Sequence, residues 1–368
     1  MNFKKVLLAA TLFSSMGISA MAQEATVTPY AGIRYFFGAY YQNKDMTGNS
    51  ADVDLANTLV NSSRLGVKFE KSKLSGQAEL GIGPGHGGLV SARAIYVQYK
   101  ADNSLTVLVG QTHMPWYMQT ANEAYDQHGG PGSSHSDRAP QIKLSYMGAY
   151  LLLAKQAVSS SNQNDGYKAD IYNGQDVYMP VTGIGYAYKS DAFDIEAGFA
   201  GYKYKINDMT KYTGFSGNLK PEKDTLAYIG YVNANIKFGD AYVKLHGAYE
   251  QAPMLIGLSQ SQSHFKSASD YIKADTEKPD DNFVEGLIEF GYKTPLGLFA
   301  TSFGYTRNIS HDGDGSADRL GIGVQLAIEL EKGFSIVPTV FYRDELENVS
   351  GAKQGADMLA GLEFRADL

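Results

Sequence analysis

The feature that most constrains this chain is a hydrophobic period of two that recurs in sixteen segments, each roughly 8 to 14 residues long. They are 27–40, 62–70, 74–82, 90–100, 104–112, 139–146, 149–157, 181–189, 192–203, 225–238, 241–250, 283–293, 296–307, 318–330, 333–344 and 358–368. In a strand, successive side chains point to opposite faces, so this period assigns one face to an apolar phase and the other to a polar one. Leu65, Val67 and Phe69 oppose Arg64, Lys68 and Glu70, and Val284, Ile288, Phe290 and Tyr292 oppose Glu285 and Glu289. The connections alternate as strictly as the residues. Tight links such as Lys71-Ser72-Lys73, Met147-Gly148, Gly239-Asp240 and Glu331-Lys332 suit hairpin turns. Between them lie long polar loops at 41–61, 83–89, 113–138, 158–180, 204–224, 251–282, 308–317 and 345–357. A sandwich could use the facial pattern, but so long an unbroken series of hairpins fits a closed barrel better. The expected fold is all-β, a transmembrane antiparallel β-barrel of about 16 strands with short periplasmic turns and long extracellular loops.

Composition enters as a check. The 368 residues contain no cysteine, which excludes disulfides and thiolate metal sites. A formal charge of −7 argues against nucleic acid as a partner. Tyr and Phe gather near strand ends, as in Tyr35, Phe37, Tyr188 and Tyr292, where aromatic girdles meet the membrane interfaces. Residues 1–22 read as a cleaved Sec signal peptide, with Lys4 and Lys5 ahead of the apolar stretch Val6 to Ile18 and an Ala20-Met21-Ala22 cleavage site. The expected barrel is then 23–368, exported to the cell outer membrane of a Gram-negative-type envelope. The last segment alternates Met358, Ala360, Leu362, Phe364, Ala366 and Leu368 with Leu359, Gly361, Glu363, Arg365 and Asp367. It resembles the C-terminal signature read by the outer-membrane assembly machinery, with Leu368 where that signature most often has Phe.

Three stretches carry a wider resemblance: Asn61-Ser62-Ser63-Arg64-Leu65-Gly66-Val67-Lys68, Ser91 to Tyr99, and Leu105 to Gln111 leading into a long third loop. They are similar to elements of the Gram-negative general porins, the sixteen-stranded and usually trimeric kind. The motifs cover about residues 61 to 112, and strand count and turn alternation extend the likeness over the mature chain. Gly110-Gln111-Thr112 stands where the family often has Gly-Arg-Gln, so an arginine is absent there. The resemblance implies a homotrimer, contact with outer-membrane lipid and lipopolysaccharide, and inward folding of loop 113–138 as a constriction.

The functional expectation is a water-filled channel for passive diffusion of ions and small hydrophilic solutes, since sixteen strands enclose an aqueous lumen. By alternation, Arg34, Arg64, Lys68 and Lys143 are the basic wall residues, and Glu123, Asp126 and Asp137 give the constriction loop its negative charge. Base facing acid makes a transverse field that screens solutes. Arg93 is ambiguous because it shares a register with Ile95 and Val97. The other readings are a substrate-specific porin for a sugar or anion, a barrel enzyme, and an adhesin. His246 with Glu250 in register is the nearest thing to a catalytic pair, and no nucleophile can be tied to it, so the chain is expected not to be an enzyme and needs no cofactor. Asp312, Asp314 and Asp318 resemble the opening of a calcium loop, but position twelve is Gly323, so a weak ion-binding turn competes there with a plain polar one.

Overall fold

A computed structural model describes residues 25–42, 52–60, 62–82, 90–101, 104–121, 138–155, 175–177, 180–206, 223–251, 282–309, 319–345 and 355–368. The expected leader at 1–22 lies outside the described residues. The strands are β1 (Thr26–Gln42), β2 (Asp52–Leu59), β3 (Arg64–Lys71), β4 (Leu74–Ile82), β5 (Val90–Lys100), β6 (Leu105–Thr112), β7 (Ala139–Tyr146), β8 (Ala149–Ala154) and β9 (Gln175–Val177). They continue as β10 (Val181–Lys189), β11 (Phe193–Ile206), β12 (Lys223–Phe238), β13 (Ala241–Gln251), β14 (Asn282–Thr294), β15 (Gly297–Asn308), β16 (Arg319–Glu331), β17 (Phe334–Glu345) and β18 (Gly355–Asp367).

Every pairing is antiparallel; strands pair with the next in the chain except where β1 also takes β3, β8 takes β10 and β9 takes β11, and β1 closes the sheet on β18 from Gly32↔Asp367 to Gln42↔Asp357. Leu368 joins this ladder through reciprocal backbone bonds with Ala31. The eighteen strands make sixteen staves. Along β1, residues 26–32 pair with β3 and residues 35–42 with β2, so β2 and β3 are one interrupted stave. In the same way β9 and β10 share β11 as partner. These two extensions fall in stretches the sequence assigns to loops. Asp52–Leu59 does alternate Val53 and Leu55 with Asp54 and Ala56, but Asp and Asn dilute it. Three residues, as in β9, carry no periodic signal at all. At the tight turns the backbone matches the side chains: Met147 and Gly148 both take positive φ, as a two-residue hairpin of this twist requires.

The outer face follows the apolar register. Ile33, Leu65, Val97, Leu144, Ile195, Ile288, Val324 and Leu362 are all exposed on it. Tyr99, Tyr146, Tyr188, Phe193, Phe238, Tyr292 and Phe334 ring the short-turn end as the expected girdle. Tyrosine does not go only to the rims, however. Tyr150, Tyr202 and Tyr231 are buried inside the barrel, and they belong to a dry cluster with Leu152, Val181 and Ile229 on the inner faces of β8 to β12. A second dry cluster joins Phe36, Val60, Phe341 and Leu359. The inside is therefore wet on part of its circumference only. Strand β8, Ala149–Ala154, shows why: Tyr-Leu-Leu-Leu is apolar on both faces.

Candidate functional site

The site is built on the inner wall and on residues 113–121, which follow β6. Gln141 on β7 donates from Nε2 to the carbonyls of Thr112 (2.9 Å) and His113 (3.1 Å), turning the chain inward as it leaves the strand. Met114 and Trp116 then enter the dry cluster on β8 to β13, where Trp116 is 1 % exposed. Asn233 on β12 donates to the carbonyls of Pro115 and Trp116, both at 3.3 Å. Lys244 on β13 donates to the Gln119 carbonyl at 2.7 Å. The Ala121 amide ends on the Glu289 carboxylate of β14, at 2.8 and 3.0 Å. Counting staves from β6 through β7, β8, β10, β11, β12 and β13 to β14 gives seven steps of sixteen, so the segment reaches almost the opposite side of the barrel.

Glu79 organises the wall that this segment faces. Its carboxylate accepts from Tyr30 Oη at 2.8 Å, Gln77 Nε2 at 3.2 Å and Arg93 Nε at 3.0 Å, with Arg64 Nε at 3.8 Å. The ring of Tyr30 lies on Gly66, where a Cβ would collide with it, so glycine here makes room for an aromatic ring and not for water. The ambiguity of Arg93 is resolved by a β-bulge. Glu79 pairs with Ala94 and Leu80 with Ala92, which leaves Arg93 as the extra residue between them. A bulge re-aims a side chain, and Arg93 goes in to Glu79 while Ile95 and Val97 stay outside.

The expected wall residues separate into three settings. Arg64 and Lys68 line a cavity of about 360 Å³ with Glu79, Arg93 and Arg138, and the segment's Tyr117 and Gln119 close it on the other side. Arg34 sits beside this group and grips both carboxylate oxygens of Asp367, at 2.7 and 2.9 Å. Lys143 is elsewhere: from β7 it reaches Glu196 on β11 at 3.3 Å, across the ring of Tyr150. Glu196, with Asp194, Asn235 and Lys244, lines a second cavity of about 310 Å³ that also touches Tyr117 and Gln119. The loop acids Glu123, Asp126 and Asp137 lie outside the described residues, as do Asp312, Asp314 and Asp318. Among the described residues no group of three His, Cys, Asp or Glu is placed to hold a metal ion.

The pairing of His246 with Glu250 does not form. Four residues along one strand is about 13 Å, and His246 instead lies between Asn233 Oδ1 (Nδ1 at 2.5 Å) and Glu285 Oε1 (Nε2 at 3.3 Å). Sequence reading placed Glu285 and Glu289 on the polar face but gave them no task. Their partners are set by how the barrel closes, and Ala121 and Glu289 are 168 positions apart.

No family model and no curated protein matches the chain by sequence. Solved structures match it over nearly its whole length. The outer membrane channel DcaP of Acinetobacter baumannii is 15% identical at a TM-score of 0.64, covering 94% of this chain and 98% of that one. OmpF of Salmonella typhi, in complex with daunomycin, is 15% identical at 0.59, with 94% and 97% covered. OprB of Pseudomonas putida is 10% identical at 0.55, with 97% of each chain covered. The chain shares the closed sixteen-stave barrel of these proteins.

Proposed function

We propose that this chain is an outer-membrane porin, a water-filled channel for passive diffusion of ions and small hydrophilic solutes, and that it performs no chemistry on them. One observation carries the reading: inside a barrel with an apolar outer face, a segment bonded to β7, β12, β13 and β14 borders two cavities, each lined by charged side chains. A scaffold for adhesion has no use for charges in the lumen, whereas a sieve works through them. In this reading 113–138 is the constriction loop, and Arg34, Arg64 and Lys68 are the basic wall, joined by Arg93. The acids Glu123, Asp126 and Asp137 are the loop's share of the field. Lys143 acts on the second opening through Glu196, which lines it.

The likeness to outer-membrane channels supports residence in the outer membrane, with export by the 1–22 leader and delivery by the assembly machinery through the last strand. A homotrimer in contact with lipopolysaccharide is the assembly that fits this fold. An anion-preferring variant of the same function is favoured by the first opening, where Arg64, Lys68, Arg93 and Arg138 outnumber Glu79 and Asp367.

Liposome swelling with sugars of graded size tests the reading. A porin admits small sugars and excludes large ones; vesicles that admit none, with the chain folded in them, refute it.

A further inference from the structure

Every polar contact from the far wall to residues 115–121 described above ends on a backbone atom of the segment: the carbonyls of Pro115, Trp116 and Gln119 and the amide of Ala121. None depends on which side chains the segment carries. On the wall side, the groups are held in place by neighbours that do not belong to the segment. The Glu289 carboxylate is fully buried, and it also accepts from Tyr242 Oη at 3.0 Å and meets Lys244 Nζ at 3.3 Å. Tyr242 is itself fixed, because its ring occupies the space over Gly291 that a Cβ would take. Asn233 is oriented by His246, and His246 by Glu285. A buried carboxylate is tolerated only when its oxygens are satisfied by donors. Here Tyr242 and Lys244 of the wall hold the carboxylate in place and the Ala121 amide donates to it from the segment, which makes Glu289 a prepared seat for that amide.

We propose that Asn233, Lys244 and Glu289 are positioning residues that set the aperture: the wall of β12 to β14 fixes the path of the constricting segment through its backbone. Glu289 and Lys244 act as a clamp, one taking the amide at 121 and the other the carbonyl at 119. The role of these residues in aperture rests on the porin reading, whereas their hold on the segment does not. Two measurements keep the failures apart.

The first is amide hydrogen exchange of the peptide covering 114–121 in the detergent-folded chain. Glu289→Ala speeds exchange at the Ala121 amide by about 10- to 100-fold, the effect of losing a hydrogen bond to a charged group. Strand amides stay protected. Glu289→Gln, which keeps one acceptor oxygen, gives a smaller increase, and Lys244→Met is a second route should the alanine variant fail to fold. The second is single-channel conductance, expected to rise or to split into sublevels in the variants whose exchange has risen. Unchanged exchange in Glu289→Ala and Lys244→Met overturns the clamp. Faster exchange with wild-type conductance overturns its role in aperture. A wild-type chain that does not conduct sinks the porin reading and leaves the exchange result standing.

Discussion

Replacing Arg64 with Gln removes a positive charge from the mouth of the larger opening while disturbing little else. Its side chain is 32 % exposed and sits 3.8 Å from Glu79, whose other partners, Tyr30, Gln77 and Arg93, remain. A hydrated ion passing about 6 Å from the guanidinium feels about 0.7 kcal/mol at the dielectric of water. At 0.1 M salt the Debye length is about 10 Å, which reduces this to about 0.4 kcal/mol. A cation gains what an anion loses, so the cation-to-anion permeability ratio rises by about 4- to 10-fold. The assay is the zero-current potential of planar bilayers across a KCl gradient. The double variant Arg64→Gln/Glu79→Gln, which restores the net charge, is expected to return most of the way to wild type. At 1 M salt, with a Debye length near 3 Å, the shift is expected to shrink. A ratio that moves by less than twofold at low salt, or moves equally at high salt, would falsify the assignment of Arg64 to the conducting path. Arg34→Gln is expected to act in the same direction, because it leaves Asp367 uncompensated.

Other consequences follow from burial and register. Glu79→Gln alone takes away the negative charge 3.0 Å from Arg93, which is 7 % exposed, so it is expected to cost about 1 to 3 kcal/mol in urea unfolding and to shift selectivity towards anions. Trp116 is the sole tryptophan and lies in a dry cluster, so native emission is expected to be blue-shifted and shielded from iodide; easy quenching would contradict the seating of the segment. Ile288→Arg on the outer face is expected to destabilise the bilayer-folded barrel by about 2 to 4 kcal/mol, whereas Gln98→Arg, pointing inward, costs little. Equal costs for the two would mean that the faces are assigned the wrong way round.

The barrel was legible because lipid on one side and polar lumen on the other force a period of two, and the turns between staves must be short where strands neighbour directly. Ser72, Met147 and Gly148 could be seen as turn residues before any coordinates. The same logic failed where a strand serves a dry interior. β8 is apolar on both faces, and alternation gave no warning that its inner face would receive Met114 and Trp116. It failed again at Arg93, since one bulged residue reverses the facing of a side chain, and a bulge is a property of a pair of strands. The tyrosines divided for a related reason. Those on the outer register went to the rim, while Tyr30 and Tyr242, on the inner one, settled over glycines and came to hold Glu79 and Glu289.

By itself, then, the sequence determined what is local: which residues are strands, which face of each is apolar, where the turns fall, and that an even series of hairpins closes into one large barrel. Period and turn chemistry are written within a dozen residues, and lipid enforces them stave by stave. Tertiary structure decided everything that depends on which staves face one another across the lumen. It sent residues 113–121 along the wall to β14, joined Ala121 to Glu289, drew Arg64 and Arg93 to one carboxylate, and sent Lys143 to Glu196 instead. Those meetings depend on the curvature and stagger of the closed sheet, which no single segment of the chain contains.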